Sequence, residues 1–316
     1  MTVYILRRVL QMIPVVVLVS LLTFALAYVL PGDPALALLG DELVRNQQLY
    51  AQLRVELGLD RPVPIQFASW AGRVLQGDLG TSTHTRQAVG PLLLQRLGPT
   101  VQLAAFAMLF SLLLAIPIGV ISALRPNSLA DLLGTILAIT GTSLPNFWLG
   151  LLLILVFGLR LGWLPPSGYV PPVEDLPANL RLMILPTITL GSGLAAIVMR
   201  QTRSSMLEIL HQDYVTTARA KGLAERAVII RHALRNGLTP VVTVVGLQLG
   251  GLFGGAVIIE SIFGIPGVGS LAASSIFTRD LPVLQAIVLA LTLVILAINL
   301  LTDLVYVWLD PRITYR

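Results

Sequence analysis

The sequence predicts an all-α integral membrane protein with six transmembrane helices. Hydrophobic residues make up 55% of the chain and charged residues 12%, which is about half the roughly 25% usual in soluble domains. The apolar residues are concentrated in six runs, each close to the roughly 20 residues that a membrane-spanning helix needs. Residues 200–235, between the fourth and fifth runs, are basic and polar, so we predict that they lie outside the membrane.

The first apolar run, residues 9–30, has two interpretations. Arg7 and Arg8 precede it, and Ala25-Leu26-Ala27 has the form of a signal-peptide cleavage site. A signal peptide, however, has an apolar region of about 7–15 residues, which is shorter than this run. We therefore predict that residues 1–30 contain a cytoplasmic N-terminus and the first transmembrane helix.

Residues 31–98 form a polar interlude that carries both charge signs. Turn signals occur at Pro31-Gly32-Asp33-Pro34 and at Arg61-Pro62-Val63-Pro64, and residues 65–75 are amphipathic. A segment of this size builds only a small core by itself. We predict an extracytoplasmic loop domain over residues 31–98 that packs against the membrane helices.

Residues 99–316 contain the other five apolar runs. These runs cover residues 100–124, 132–159, 182–199, 238–263 and 282–309. Pro117 and Pro145 lie inside the second and third predicted helices, where the backbone groups that a proline frees need a neighbouring helix or cavity water. We predict one kinked helix for each of these two runs.

The distribution of cations predicts the orientation of the helices. With both termini in the cytoplasm, the short outer loops carry only Arg160, Arg181 and Arg279, as the positive-inside rule requires. The inner cations are Arg7, Arg8, Arg125, Arg200, Arg203, Arg219, Lys221, Arg226, Arg231, Arg235, Arg312 and Arg316. Topology thus explains the net charge of +5, and we predict no nucleic acid partner.

The pattern of the basic stretch predicts two short helices joined by a turn at a glycine. Asp213 is suited to cap a helix over residues 214–221, and Gly222 follows where a left-handed glycine commonly ends a helix. A second helical pattern covers residues 224–236, and Gly237 is predicted to stop it. The alternative is a solvated loop that only sets topology, and the two caps favour a built structure.

The sequence contains no recognisable catalytic centre. Lys221 is the only lysine and does not belong to a G-x-x-x-x-G-K-[ST] loop, so the chain is not a P-loop ATPase by itself. His84, His211 and His232 show no H-E-x-x-H spacing, and no G-x-S-x-G elbow occurs. The chain has no cysteine, which excludes disulfides and thiolate metal sites.

The fifth apolar run carries two rows of small residues. Gly246, Gly250 and Gly254 form one row, and Gly251 and Gly255 form the other. Small residues at this spacing let another helix backbone approach closely. The partner is either another helix of this chain or a second membrane subunit.

Two carboxylates belong to the predicted membrane segments. Glu260 precedes the loop Gly264-Ile265-Pro266-Gly267-Val268-Gly269, and Asp303 lies in the sixth run. Because intramembrane carboxylates are functional candidates, we predict that Glu260, with Pro266, Gly267 and Gly269, belongs to a pathway or gate. In the alternative, Glu260 reaches the outer interface and Asp303 pairs with a cytoplasmic arginine.

Seven motifs in the same order resemble those of the transmembrane permease of bacterial dipeptide, oligopeptide and nickel ABC importers, specifically the permease with a long first outer loop. The likeness spans nearly the whole chain. The motifs are Leu57-Gly58-Leu59-Asp60-Arg61-Pro62, Gly77-Asp78-Leu79-Gly80, Ser143-Leu144-Pro145-Asn146-Phe147-Trp148-Leu149-Gly150, Leu161-Gly162-Trp163-Leu164-Pro165-Pro166-Ser167-Gly168-Tyr169, Asp213-Tyr214-Val215-Thr216-Thr217-Ala218-Arg219-Ala220-Lys221-Gly222-Leu223, Arg231-His232-Ala233-Leu234-Arg235-Asn236 and Asp310-Pro311-Arg312.

In this family the basic stretch corresponds to a cytoplasmic coupling motif, E-A-A followed after three residues by glycine. Aligned on Gly222, the triplet here is Thr216-Thr217-Ala218, so the glutamate of the general pattern and any salt bridge that it makes are not carried over. The resemblance implies that an ATPase subunit contacts Asp213, Tyr214, Thr216, Thr217, Ala218, Arg219, Ala220, Lys221 and Gly222.

The resemblance implies the type I ABC importer permease fold, with residues 99–316 as a five-helix permease core that includes the coupling segment 200–237. It implies a translocation pathway for peptides or related small solutes in a bacterial inner membrane. The implied partners are a second, related permease in a heterodimer, two ATPase subunits that bind ATP and Mg²⁺, and an external binding protein. Neither a cofactor in this chain nor enzymatic activity is expected.

The second hypothesis is a stand-alone secondary transporter or channel that uses Glu260 or Asp303 for ion coupling. A secondary transporter has no evident use for a capped cytoplasmic helix. The sequence also lacks an inverted repeat of interrupted hydrophobic segments, which many such transporters have. The sequence therefore favours the importer subunit.

Overall fold

The computed structural model describes residues 2–29, 55 and 60–309, and the regular structure of these residues is helical. Within the described ranges, the β structure is limited to one isolated antiparallel bridge between Thr81 and Ala88. The predicted turn Pro31-Gly32-Asp33-Pro34, the first half of the motif at 57–62 and the motif Asp310-Pro311-Arg312 lie outside the described residues.

Helices of span length alternate with shorter ones. Five described helices are long and apolar enough to cross a membrane, namely α1, α3, α6, α9 and α11, and α4 with α5 makes a sixth span if the bent pair is counted as one. In chain order the helices are α1 (Thr2–Val29), α2 (Val63–Leu75), α3 (Val89–Leu124), α4 (Leu129–Ser143), α5 (Asn146–Arg160), α6 (Leu176–Leu210), α7 (Asp213–Ala220), α8 (Glu225–Ala227, Val228–Leu234 and Arg235–Gly237), α9 (Thr239–Phe263), α10 (Val268–Phe277) and α11 (Leu281–Leu309).

The third predicted span is broken rather than kinked. The chain turns by 105° between α4 and α5, so the prediction of one helix over residues 132–159 is wrong. Leu144 and Pro145 have extended backbones, because a proline disfavours the helical conformation of the residue before it. Pro145 then precedes the first turn of α5. Pro117, in contrast, lies within the continuous helix α3.

Helix α10 was not predicted, because its ten residues are too few to give a span signal. It follows the end of α9 at Gly264, whose φ of 65° is left-handed. The N–H of Ile265 donates to the carbonyl of Glu260 at 2.9 Å and thereby closes the last turn of α9. The loop Gly264–Gly269 therefore begins as a glycine-capped helix end.

Contacts divide the chain into two compact units. One contains the described residues up to Gly98 together with Ser270–Leu296, and the other contains Pro99–Gly269 and the described residues from Ala297 onwards. The predicted three-part division into 1–30, 31–98 and 99–316 shares the boundary after Gly98 and otherwise stays a prediction.

In the first unit, the amphipathic stretch predicted at 65–75 forms α2 and packs on α1. The ring of Phe24 on α1 lies 5.6 Å from that of Phe67 and 5.7 Å from that of Trp70. Tyr28 donates its hydroxyl to Gln66 Oε1 at 2.7 Å. An aromatic cluster with one polar contact thus fixes α2 against the first membrane helix.

In the second unit, the core is built around α6. A Cβ atom at Gly191 of α6 would lie 2.7 Å from the carbonyl oxygen of Ala107, and one at Gly119 of α3 would lie 2.7 Å from Thr202 Cβ. Helices in lipid gain stability from such close packing rather than from hydrophobic burial. The absence of side chains at these glycines therefore sets the distance between α3 and α6.

An ion pair joins α4 to α6. Arg203 donates from Nε to Asp131 Oδ1 at 2.6 Å and from Nη2 to Oδ2 at 2.8 Å. Asp131 lies in the first turn of α4, where Oδ2 also accepts the N–H of Asn127 at 3.0 Å and Ser128 Oγ caps the helix. The side chain of Asp131 is 6% exposed, so its charge depends on these donors.

We expect Arg203→Met to destabilise the protein by about 3 kcal/mol, because it leaves a buried carboxylate without its guanidinium partner. The double variant Asp131→Asn with Arg203→Met removes both charges and should recover most of the loss. Thermal unfolding in detergent ranks the three proteins. Equal losses in the single and double variants would show that the ion pair does not produce the effect.

Candidate functional site

The predicted coupling helix is α7, and it begins one residue earlier than expected. Gln212, not Asp213, is the N-cap residue: its backbone is extended and its carbonyl accepts the N–H groups of Val215 and Thr216. Asp213 lies in the first turn, where a carboxylate is favourable because of the helix dipole. The prediction of Asp213 as N-cap is therefore wrong, since the cap is made by backbone geometry and not by a side chain.

The prediction of a left-handed Gly222 is confirmed. Its φ is 76°. The N–H of Gly222 donates to the carbonyl of Arg219 at 2.9 Å, and the N–H of Leu223 donates to that of Ala218 at 3.4 Å. This pair of bonds is a Schellman motif. Apart from its neighbours in sequence, no atom of the described residues would lie within 4 Å of a Cβ at Gly222, so the backbone conformation and not crowding requires glycine there.

An ion pair joins residues on the two sides of Gly222. Arg219 donates from Nη2 to Glu225 Oε1 at 2.7 Å and from Nε to Oε2 at 3.1 Å. The hydrogen bond from Arg219 lowers the pKa of Glu225 and raises that of Arg219. Because the carboxyl pKa is lowered, the stabilisation is complete at neutral pH and is lost as the pH falls through that lowered pKa. Glu225 is not among the predicted coupling residues, although its carboxylate and the guanidinium of Arg219 lie on opposite sides of Gly222 in the sequence.

The surfaces where α7 and α8 pack on each other are apolar. Val215 and Ala218 of α7 are buried against Val228 of α8. At the far end of α8, Asn236 Nδ2 donates to the hydroxyl of Tyr214 at 2.9 Å. The two short helices thus form one folded unit, which we call the elbow (Asp213–Gly237).

The outer side of the elbow carries nearly all of the predicted coupling residues. Among them, only Ala218 is buried, because it packs inside the elbow. Leu223, just after the glycine, is 43% exposed although it is apolar. The exposed members are Asp213, Tyr214, Thr216, Thr217, Arg219, Ala220, Lys221 and Gly222.

Gly237 ends α8, as predicted, and its φ is not positive. A Cβ there would lie 2.8 Å from Met206 Sδ, and its carbonyl accepts the hydroxyl of Ser205 at 2.7 Å. Gly237 therefore fastens the elbow to α6 by close packing.

The glycines of α9 serve two different surfaces. A Cβ at Gly246 would overlap Thr302 of α11, and one at Gly255 would lie 3.0 Å from Leu190 Cδ1. In the part of the chain that the structure describes, a Cβ at Gly251 or Gly254 would meet no atom from another element within 4 Å. Gly250 lies between these positions and is half-buried. Packing within the chain thus explains the glycines at positions 246 and 255. It does not explain Gly251 and Gly254, where a Cβ would meet open space.

Glu260 is completely buried, so it does not extend to an outer surface as the alternative expected. Thr100 Oγ1 donates to Glu260 Oε1 at 2.6 Å and accepts the N–H of Val268 at 2.8 Å. A Cβ at Gly267 would overlap the carboxylate, and one at Gly269 would lie 2.9 Å from Oε2. The loop after α9 is therefore folded around this carboxylate. Pro266 belongs to the same loop.

The remaining predicted carboxylate, Asp303, is half-buried on α11. Its pairing with a cytoplasmic arginine stays a prediction. Among the described residues, no group of three or more histidine, aspartate or glutamate side chains is arranged to hold a metal ion.

Two family models match this chain. Residues 115–315 match "Binding-protein-dependent transport system inner membrane component", and residues 1–104 match "Binding-prot-dependent transport system membrane comp, N-term". The chain belongs to this family. It is therefore a multi-pass inner membrane permease subunit of an ABC importer, and family membership does not support the stand-alone secondary transporter or channel.

Relatives of known name cover nearly the full length of the permease. It is 42% identical over 313 residues to the glutathione transport system permease protein GsiC of Salmonella typhimurium, covering 99% of each chain. It is 42% identical over 315 residues to a putative peptide transport system permease protein of Brucella suis, covering 100% of each. The family consists of transport subunits, so the permease is not an enzyme and its ATPase and binding protein are separate chains.

Solved structures support the predicted fold. The permease aligns with a chain of the inward-facing MetNI methionine ABC transporter at a TM-score of 0.57 and 18% identity, covering 69% of the permease and 96% of that chain. It aligns with a chain of an amino acid ABC transporter at a TM-score of 0.52 and 16% identity, covering 68% and 93%. The prediction of a type I ABC importer permease fold is confirmed.

We expect Gly246→Leu to lower the yield of folded permease severely, because the new side chain would overlap Thr302. Gly254→Leu, on the same helix, should leave folding unchanged because its Cβ meets open space. Yield and size-exclusion profile in detergent compare the two variants. Comparable losses in both would show that the surface at Gly254 is also closed by this chain.

Proposed function

We propose that the elbow is the site where a separate ATPase subunit drives this permease. The observation that carries the proposal is a two-turn helix, α7, which is held by contacts on its inner side and is exposed on its outer face. The Schellman motif, the pair Arg219–Glu225 and the bond from Asn236 to Tyr214 hold its shape. A helix of fixed shape can transmit a push, whereas a flexible loop would absorb it.

The elbow is attached to the membrane helices at both ends. Its start follows α6, around which the second unit is packed, and its end continues into α9. Gly237 also packs closely on α6 and accepts a hydrogen bond from Ser205 of that helix. We propose that closure and reopening of two ATPase subunits, which bind ATP and Mg²⁺, rock α6 and α9 and switch the pathway between outward and inward access.

The missing motif glutamate fits this proposal because the elbow has another carboxylate. Thr216 stands where the family pattern has glutamate, and its side chain is exposed. Glu225 supplies a carboxylate from the other side of Gly222 and pairs with Arg219. The pair is exposed and worth little by itself, so we assign it to orienting α8 against α7 and not to stabilising the permease.

We propose that the transported solute is a peptide or a related small solute delivered by an external binding protein. Two relatives that share 42% of their residues with this chain over nearly their whole length are named for glutathione and peptide transport. The agreement between these two names supports the class of solute.

We propose that a second, related permease packs on the open face of α9. Leu247, Gly254 and Ile258 are exposed at the spacing of one helix face, and the glycine there lets a partner backbone approach closely. Gly250 belongs to the edge of this face. Loss of the second permease from complexes that carry Gly254→Leu is the expected result.

Glu260 is the proposed gate anchor. Its carboxylate accepts the hydroxyl of Thr100 and packs against Gly267, which follows Pro266 in the loop after α9, and Gly269 in the first turn of α10, so movement of α9 would carry this segment with it. The buried position supports an anchoring role within a gate over direct contact with solute.

The proposed orientation has both termini and the elbow in the cytoplasm and residues 31–98 outside. Single cysteines at Thr85 and Ala224, both exposed, should react from opposite sides of sealed vesicles. The chain has no cysteine of its own, so each label reports one site. Ser82 is unsuitable because it is buried on Asp280. Labelling of both positions from outside would contradict the proposed topology.

The elbow assignment predicts that Gly222→Val abolishes uptake. Valine in the left-handed conformation costs about 1–2 kcal/mol for the backbone, which reorients a two-turn helix without unfolding the membrane helices. The variant should insert and assemble with the second permease but lose ATPase docking, or the stimulation of ATP hydrolysis by loaded binding protein.

The matched control is Gly222→Asn, because asparagine tolerates the left-handed conformation. It should keep most of the stimulated hydrolysis in the same proteoliposomes. Parental uptake and stimulated hydrolysis with Gly222→Val would show that the elbow does not couple the ATPase to transport.

A further inference from the structure

A cavity of about 310 Å³ lies in the second unit at the break between α4 and α5. Its wall is completed by α6 and α9. The volume is at the lower end of the roughly 300–1,000 Å³ of small-molecule sites and about ten times the roughly 30 Å³ that one water occupies. Thr142 and Gly251 line it and are exposed, so the cavity has an opening.

Two carboxamides and one hydroxyl line this cavity. Asn146 at the start of α5 and Gln248 on α9 supply the amides, Thr142 supplies the hydroxyl, and none of the described lining residues is ionisable. Neither carboxamide has a hydrogen-bond partner within the described parts of the chain, whereas the hydroxyl of Thr142 donates to Ala138 O at 3.0 Å. Each carboxamide presents both donors and an acceptor. Two half-buried amides are thus available to a ligand.

Glycines leave room beside these amides. A Cβ at Gly193 of α6 would lie 3.4 Å from Asn146 Oδ1, and a Cβ at Gly251 would meet no other described element within 4 Å. The N-terminus of α5 receives no side-chain cap, because the residue before it is Pro145. The cavity therefore offers uncharged donors and acceptors over a backbone that small residues leave accessible.

We propose that this cavity is a subsite of the translocation pathway that binds an uncharged amide segment, the backbone of a peptide in transit. The peptide unit has one N–H and one C=O, which the carboxamides of Asn146 and Gln248 match. The ammonium and carboxylate ends of a peptide are excluded, because the wall has no opposite charge to offset their desolvation. The inference rests on the proposed transport of peptide-class solutes.

The absence of native cysteine gives a direct test. Gly251→Cys places a unique thiol of this chain at the cavity wall, and Ser261→Cys, also exposed on α9 but outside the cavity, is the matched control. The complete importer is purified with each variant, and the rate of reaction with a small uncharged thiol reagent is measured with and without trialanine. Thr142→Cys is a second reporter if Gly251→Cys fails to assemble.

We expect saturating trialanine to slow labelling at position 251 at least fivefold and to leave position 261 unchanged. Trialanine with N-methylated peptide bonds should protect at least fivefold less well, and so should trialanine when Gln248→Leu is added to Gly251→Cys. Equal slowing at both positions, no slowing at 251, or protection that survives both N-methylation and Gln248→Leu would overturn the proposal.

ATPase association and trialanine uptake are measured on the importer without the cysteine substitutions, purified in the same way. These measurements test the proposed function separately. Uptake with no protection at position 251 rejects the subsite alone. Absence of ATPase association and of uptake rejects the importer role for peptides, whatever the labelling result.

Discussion

The second unit depends on close backbone contact around α6. In lipid the helices gain nothing from hydrophobic burial against one another, so packing must supply the stability. The contacts of Gly191 with Ala107 and of Gly119 with Thr202 place α3 against α6 at distances that any side chain would prevent. Gly237 extends the same device to the elbow, because its missing side chain admits Met206. One packing rule thus builds the core and attaches the proposed coupling site to it.

The polar groups of this unit divide by whether they have partners. Asp131 is held by Arg203, and Glu260 accepts the hydroxyl of Thr100. These two buried carboxyl groups join elements that are distant in sequence, which is a structural role. The amides of Asn146 and Gln248 line a cavity and have no partner in the described parts of the chain. In a pathway, groups without internal partners are the ones available to a passing solute.

The elbow combines local and tertiary effects. The helix dipole and the left-handed Gly222 define α7 locally, whereas burial of Val215 and Ala218 on Val228 fixes its angle to α8. The result is an exposed helix whose position follows α6 and α9. This linkage gives the proposed coupling a physical route that a solvated loop would lack.

Features that depend on neighbours along the chain could be predicted from the amino-acid sequence. The lengths of the apolar runs predicted the six spans, counting α4 with α5 as one, and the position of Gly222 predicted its conformation, because desolvation and backbone sterics act locally. The seven motifs and their order predicted the family, because each motif is a run of residues that are adjacent in sequence.

The tertiary structure alone decided the rest. Gly246 and Gly254 belong to the same row of glycines on α9, yet a Cβ at Gly246 would overlap Thr302, whereas one at Gly254 would meet no neighbouring atom of the described residues within 4 Å. The 105° break near Pro145 and the pairing of Glu225 with Arg219 likewise depend on contacts. The physical reason is that periodicity places a residue on a helix face, and only packing determines what that face meets.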